Sequence, residues 1–298
     1  MTNFLLIFIC LGAGMILQRR RDVPPSAAHA LNLYVIYIAL PALVLAQMPK
    51  LRFSAELLVP IAMPWLLLAF GAVLVLIGQR LFSWSREVTG CLLLCVPLGN
   101  TSFLGIPMVI AFFGPEFVPY AVIYDQLGSF IALATYGTLV LASYEEGSRP
   151  QFGKIITRIV TFPPFLALVL AFILRFYEYP PALAATLERI GASLVPVVMV
   201  AVGLQLKIRL PGPFVVPFCH GLVVKLLLAP LLALVVCKML GLSSDAARIA
   251  IFEAGMPPMV TAGALALAAG LAPELAAALV GWGIVISFAT LTGLYWLI

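Results

Sequence analysis

The sequence predicts an all-α polytopic membrane protein: ten transmembrane helices in two inverted five-helix repeats, with broken fourth and ninth spans that cross. Three observations lead there. Hydrophobic residues make up 63% of 298 and charged residues 10%, with a mean hydropathy of +1.15, values outside the range of soluble domains. Ten apolar runs follow one another with tight loops and no room for a soluble domain. Two of those runs contain helix-breaking residues at matching places in the two halves.

The runs fall at about 4–18, 29–48, 57–79, 87–113, 117–143, 159–175, 183–206, 213–238, 246–270 and 274–297. The first is short, which tilt or local thinning accommodates. Arg19, the first basic residue, follows that run, so no cleavable signal is expected. Residues 1–143 make the first repeat, 144–158 a cytoplasmic linker containing Glu145, Glu146, Gly147, Ser148 and Pro150, and 159–298 the second repeat. With the N-terminus outside, the inner loops hold Arg19, Arg20, Arg21, Arg80, Arg86, Arg149, Lys154, Arg158, Lys207 and Arg209. The outer loops hold Lys50, Arg52, Arg175, Arg189, Lys238 and Arg248. Cytoplasmic loops carry the Lys/Arg excess, so both termini are expected outside the cytoplasm, in an inner (plasma) membrane. That loop charge accounts for the net +5, and nucleic acid is not an expected partner. Cys10, Cys91, Cys95, Cys219 and Cys237 lie in or beside apolar runs without a CxxC pair; they read as small core residues, and neither metal nor cofactor is expected.

The fourth span carries Val96-Pro97-Leu98-Gly99-Asn100-Thr101-Ser102-Phe103-Leu104-Gly105-Ile106-Pro107, and the ninth Glu253-Ala254-Gly255-Met256-Pro257-Pro258-Met259-Val260-Thr261. Such breaks leave backbone groups unpaired, and a membrane tolerates them only inside protein or along a polar cavity. A shift of 158 residues sets Gly105 on Gly263, Pro115-Glu116 on Pro273-Glu274, Ser129-Phe130 on Ser287-Phe288, and Gly99-Asn100 on Pro257-Pro258. Five spans per repeat is an odd number, so the second repeat is inverted. The half-helices starting near Asn100 and Pro258 then face each other at the midplane, each N-terminus bearing about half a positive charge. Converging N-termini make an anion site suited to a small carboxylate. Gly99, Asn100, Thr101 and Ser102 line it from one side, and Pro257, Pro258, Met259 and Val260 from the other.

Ionisable residues inside spans point to function. Asp125 in the fifth span and Lys225 in the eighth read as coupling groups or as a structural ion pair. Glu253 either joins the site or snorkels one turn toward water. His220 reads as a satisfied interior histidine, and Gln47 and Gln205 as cavity-facing or interfacial. An enzyme is not expected. The Glu145-Glu146 pair and His29 lack the spacing of membrane-protease motifs, and neither a serine elbow nor a metal cluster occurs.

The run from Gly99 to Pro107, the Gly255-Met256-Pro257-Pro258 break and the five-plus-five spans resemble the auxin efflux carrier family over nearly the whole chain. The resemblance implies a secondary transporter that moves a small organic anion, auxin-, malonate- or malate-like, by alternating access. It also implies a scaffold of spans 1, 2, 6 and 7, a moving elevator core of spans 3–5 and 8–10, and a homodimer through the scaffold. An anion channel or a membrane sensor of a carboxylate is the alternative. The chain is similar, more distantly, to sodium–bile acid symporters, whose ninth span carries Glu-x-Gly-x-Gln-Asn. Here prolines 257 and 258 replace that polar pair, which counts against sodium binding. Lys225 is then expected to serve as a tethered cation beside Asp125 or Glu253.

Overall fold

The computed structural model describes residues 2–24, 26–51, 54–144, 152–206, 208 and 212–298. Linker residues 145–151 and the loop cations Arg52, Lys207 and Arg209 lie outside the described residues. Among the described residues the regular structure is helical, apart from one isolated antiparallel bridge. In chain order the helices are α1 (Thr2–Leu17), α2 (Ala27–Lys50), α3 (Ala55–Phe82), α4 (Arg86–Cys95), α5 (Thr101–Phe112), α6 (Pro115–Tyr144) and α7 (Phe152–Val160). There follow α8 (Pro163–Leu174), α9 (Pro181–Gln205), α10 (Gly212–Met239), α11 (Asp245–Ala254), α12 (Val260–Ala268) and α13 (Pro273–Tyr295). Helices α2, α3, α6, α9, α10 and α13 are long and apolar enough to cross a membrane, and α1, α5 and α8 are shorter apolar helices. The fourth and ninth predicted spans each appear as two short helices, α4 with α5 and α11 with α12. Part of the predicted linker, residues 152–158, is helical in α7.

Local chemistry explains the boundaries. Helices α4 and α11 both start at a serine: Ser85 Oγ accepts from the Val88 N–H, and Ser244 Oγ from the Ala247 N–H. Helices α6 and α13 both start with proline, whose missing N–H costs nothing in a first turn. Several helices contain π turns, among them Thr101–Gly105 in α5, Tyr124–Ser129 in α6 and Val224–Leu228 in α10. A π turn takes in an extra residue, interrupts the regular ladder and re-aims the side chains around it.

The chain divides into two compact units. The first is Met1–Ser54, Ser102–Val122 and Ile156–Leu206. Within it α1 packs on the end of α9 through facing glycines: a Cβ built on Gly14 would lie 2.9 Å from Gly203 Cα and would collide with the Val200 carbonyl. Close backbone approach through small residues is how helices associate in lipid, where burial of apolar surface drives little. The second unit is Ala55–Thr101, Ile123–Ile155 and Lys207–Ile298. Its core gathers Leu92, Leu94 and Leu98 with Ala262 and Ala266 of α12 and Leu275 and Leu279 of α13. Residues 88–101 and 249–259 are buried throughout, so α4 and α11 run into the interior once past their charged first turns, and α11 brings the buried Glu253 with it. The division falls after Thr101 and after Val122, grouping the rest of α5 and the start of α6 with the first unit.

Candidate functional site

The site lies in the second unit, where two non-helical segments, residues 96–100 and 255–259, cross antiparallel at Gly99 and Pro258. The Asn100 N–H donates to the Pro257 carbonyl at 2.8 Å, and the Met259 N–H to the Leu98 carbonyl at 3.0 Å. Breaking two interior helices would leave buried donors and acceptors unpaired, and this exchange satisfies part of that demand. Pro257 and Pro258 stop α11 and carry no N–H that would need a partner. From the sequence, the backbone donors at both half-helix starts are expected to be open to an anion; those of Asn100 and Met259 are instead spent on the crossing. Close approach also demands missing side chains: a Cβ on Gly283 would lie 2.7 Å from Pro258 Cδ.

Polar side chains converge on the crossing from π turns. Asp125, 1% exposed, sits in the α6 turn and Lys225, 4% exposed, in the α10 turn, while Thr101 opens the α5 turn. Thr101 Oγ1 donates to Asp125 Oδ1 at 2.5 Å, and Gln126 Nε2 donates to Asp125 Oδ2 at 2.6 Å. Lys225 passes against the break: a Cβ on Gly99 would stand 3.0 Å from its Nζ. Glu253, in the last turn of α11, is wholly buried and interacts electrostatically with both Asp125 and Lys225. A lysine at membrane depth costs about 2.5–3.5 kcal/mol on insertion scales, so nearby acids are the expected compensation. Gly99, Thr101, Tyr124, Ser129, Lys225 and Glu253 share the lining of a cavity of about 10 Å³. That is space for roughly one water molecule.

Nine of the eleven site residues expected from the sequence therefore share one buried neighbourhood: Gly99, Asn100, Thr101, Asp125, Lys225, Glu253, Pro257, Pro258 and Met259. Ser102 is half-buried and belongs to the first unit, and Val260 is half-buried in the first turn of α12. The Asn100 Nδ2 group is buried without a hydrogen-bond partner among the described residues. His220 lies 3.2 Å from the Leu74 carbonyl and meets the Trp84 ring edge-on; its ring has a partner, but the residue is half-buried and not in the interior. Gln205 donates to the Ala201 carbonyl of its own helix. Gln47 lines a separate cavity of about 260 Å³ within the first unit, with Asn3, Leu43 and Ile110. Tyr124 and Gln126 were not singled out from the sequence, and Ser129 stood out there only as a repeat match. The polar run Tyr124-Asp125-Gln126 inside an apolar span was a usable signal for the first two.

The model of a family described as membrane transport protein matches residues 1–295. An uncharacterized transporter of Methanocaldococcus jannaschii is 31% identical over 189 residues, a match covering 60% of this chain and 60% of that protein, less than two thirds of its length. An uncharacterized transporter of Methanothermobacter thermautotrophicus is 27% identical over 288 residues, covering 93% of this chain and 91% of that protein.

Proposed function

We propose, since the chain belongs to the membrane transport protein family that includes the auxin efflux carriers, that this multi-pass membrane protein is a secondary transporter for a small organic anion. The anion, a carboxylate of auxin-, malonate- or malate-like size, is held at the crossing of the two broken helices and carried by alternating access. The observation that carries the reading is the Lys225 ammonium against Gly99, at the point where both chains abandon helical structure. A fixed cation, the unpartnered Asn100 amide and the uncapped start of α12 together offer a carboxylate charge and donors in a medium of low dielectric. With room for about one water, the cavity is too small for a carboxylate in the present conformation, and one enters only after a rearrangement. That suits a carrier better than an open pore.

In this reading the chain forms ten spans as two inverted repeats in an inner (plasma) membrane, with both termini outside the cytoplasm. Spans 1, 2, 6 and 7 are the scaffold, the other six move as an elevator, and two copies associate through their scaffolds. Lys225 takes the place of a coupling cation, so no sodium gradient is needed. The test is uptake of labelled mono- and dicarboxylates into proteoliposomes, with sodium present or fully replaced by choline. Saturable, trans-stimulated flux that persists in choline is the expected result. Flux that never saturates would mean a channel, absence of flux for every acid would reject the carboxylate class, and collapse in choline would reject the tethered cation.

A further inference from the structure

Glu253 raises a charge problem. It is wholly buried, and neither Oε1 nor Oε2 has a hydrogen-bond partner among the described residues. Asp125 is placed quite differently, with one donor on each oxygen at 2.5 and 2.6 Å. Those are the separations of charge-assisted hydrogen bonds, and two donors favour the ionised carboxylate. The titratable groups facing Glu253 are Asp125 and Tyr124 from α6 and Lys225 from α10. Helices α3, α10 and α13 pack against α11, and their remaining ionisable groups lie elsewhere. Glu56, Arg80, Lys238, Glu274 and Tyr295 stand near helix ends, His220 lies against Trp84, and the thiols of α10 are the exposed Cys219 and, in its last turn, Cys237. Lys225 can balance one negative charge. A second ionised carboxylate, buried without a donor, costs several kcal/mol, whereas a neutral acid avoids that penalty. The charge at the crossing is therefore satisfied by ionised Asp125, ionised Lys225 and protonated Glu253.

We propose that Glu253 is a proton-binding site whose proton accompanies the transported anion, an assignment that rests on the carboxylate-carrier reading for its coupling step. An incoming carboxylate competes for Lys225 and adds negative charge beside Glu253. Anion binding and protonation of Glu253 thus favour each other, and linkage makes that reciprocal. The protonated state belongs to the buried site; on the releasing side the crossing opens to water, which hydrates a second carboxylate and removes its burial penalty. As the anion departs, the Glu253 O–H bond breaks and its proton passes to water. On the loading side the carboxylate takes a proton from water again. One proton and one anion move in the same direction.

The proton site can be tested without any substrate. Infrared spectra of the full-length protein in lipid at neutral pH should show the C=O stretch of a buried carboxylic acid. It should shift in D2O, persist in Asp125→Asn and vanish in Glu253→Gln. No such band, or one lost in Asp125→Asn and kept in Glu253→Gln, overturns the assignment. A second variant checks the charge balance: Lys225→Met removes the compensating cation, so an additional acid band from Asp125 should appear, and its absence counts against the proposal. Coupling is read in proteoliposomes with the membrane potential clamped at zero and labelled malonate outside. An inside-alkaline gradient should drive accumulation up to about tenfold per pH unit, the limit for one proton per anion carried, and Glu253→Gln should abolish it. Malonate flux indifferent to the gradient in the wild-type protein overturns the coupling. If malonate and every other acid fail to move, the carrier reading falls, while the infrared band still decides the proton site.

Discussion

Replacing Thr101 by valine isolates one hydrogen bond at the centre of the proposed site. The Thr101 hydroxyl donates to Asp125 Oδ1 at 2.5 Å, both residues are almost fully buried, and valine keeps the shape while removing the proton. A hydrogen bond to a charged group contributes about 1.5–3 kcal/mol, and a buried acceptor that loses its donor bears the full desolvation cost. The ionised form of Asp125 should therefore weaken by a factor of about 10 to 150. Equilibrium unfolding of the purified protein in mixed micelles should show a loss of that order for Thr101→Val. Thr101→Ser, which retains the hydroxyl, should recover most of it. Uptake should fall in parallel, because Asp125 also sets the charge seen by Glu253. A valine variant as stable and as active as wild type would show that Asp125 does not depend on this donor, and the charge assignment at the crossing would fail with it.

Three further outcomes follow from the same geometry. Asn100→Ala should weaken binding of the transported acid by about 1–3 kcal/mol, measured by competition in uptake, if its unpartnered amide donates to the carboxylate; unchanged affinity for every transported acid removes Asn100 from the site. Pro257→Ala combined with Pro258→Ala should let α11 run on and weaken the crossing, so transport drops while the protein still folds by circular dichroism; full transport in the double variant makes the prolines incidental. Gly14→Val should separate α1 from α9 in the first unit and destabilise the protein by about 1–3 kcal/mol in micelle unfolding; no change in stability means the two helices do not need that contact.

Membrane class, helical content, the two interruptions and the ionisable residues inside spans were all legible in the chain. Each depends on local composition: apolar length sets what can cross lipid, and proline and glycine interrupt a helix wherever they fall. Glu253, Asp125 and Lys225 stood out because charges inside apolar runs are expensive. What the chain alone left open was which of these groups hold one another. The pairing of Asn100 with Pro257 and of Met259 with Leu98 joins residues about 160 positions apart, and no local pattern encodes a contact of that range. The π turns that carry Thr101, Asp125 and Lys225 are likewise a product of packing, since an inserted residue survives only where neighbouring helices compensate for the disturbed ladder. Only the tertiary structure decided that Asp125 has donors on both oxygens while Glu253 has none among the described residues. Burial and partners belong to the neighbours that folding brings together, and they make chemically similar carboxylates carry different charge.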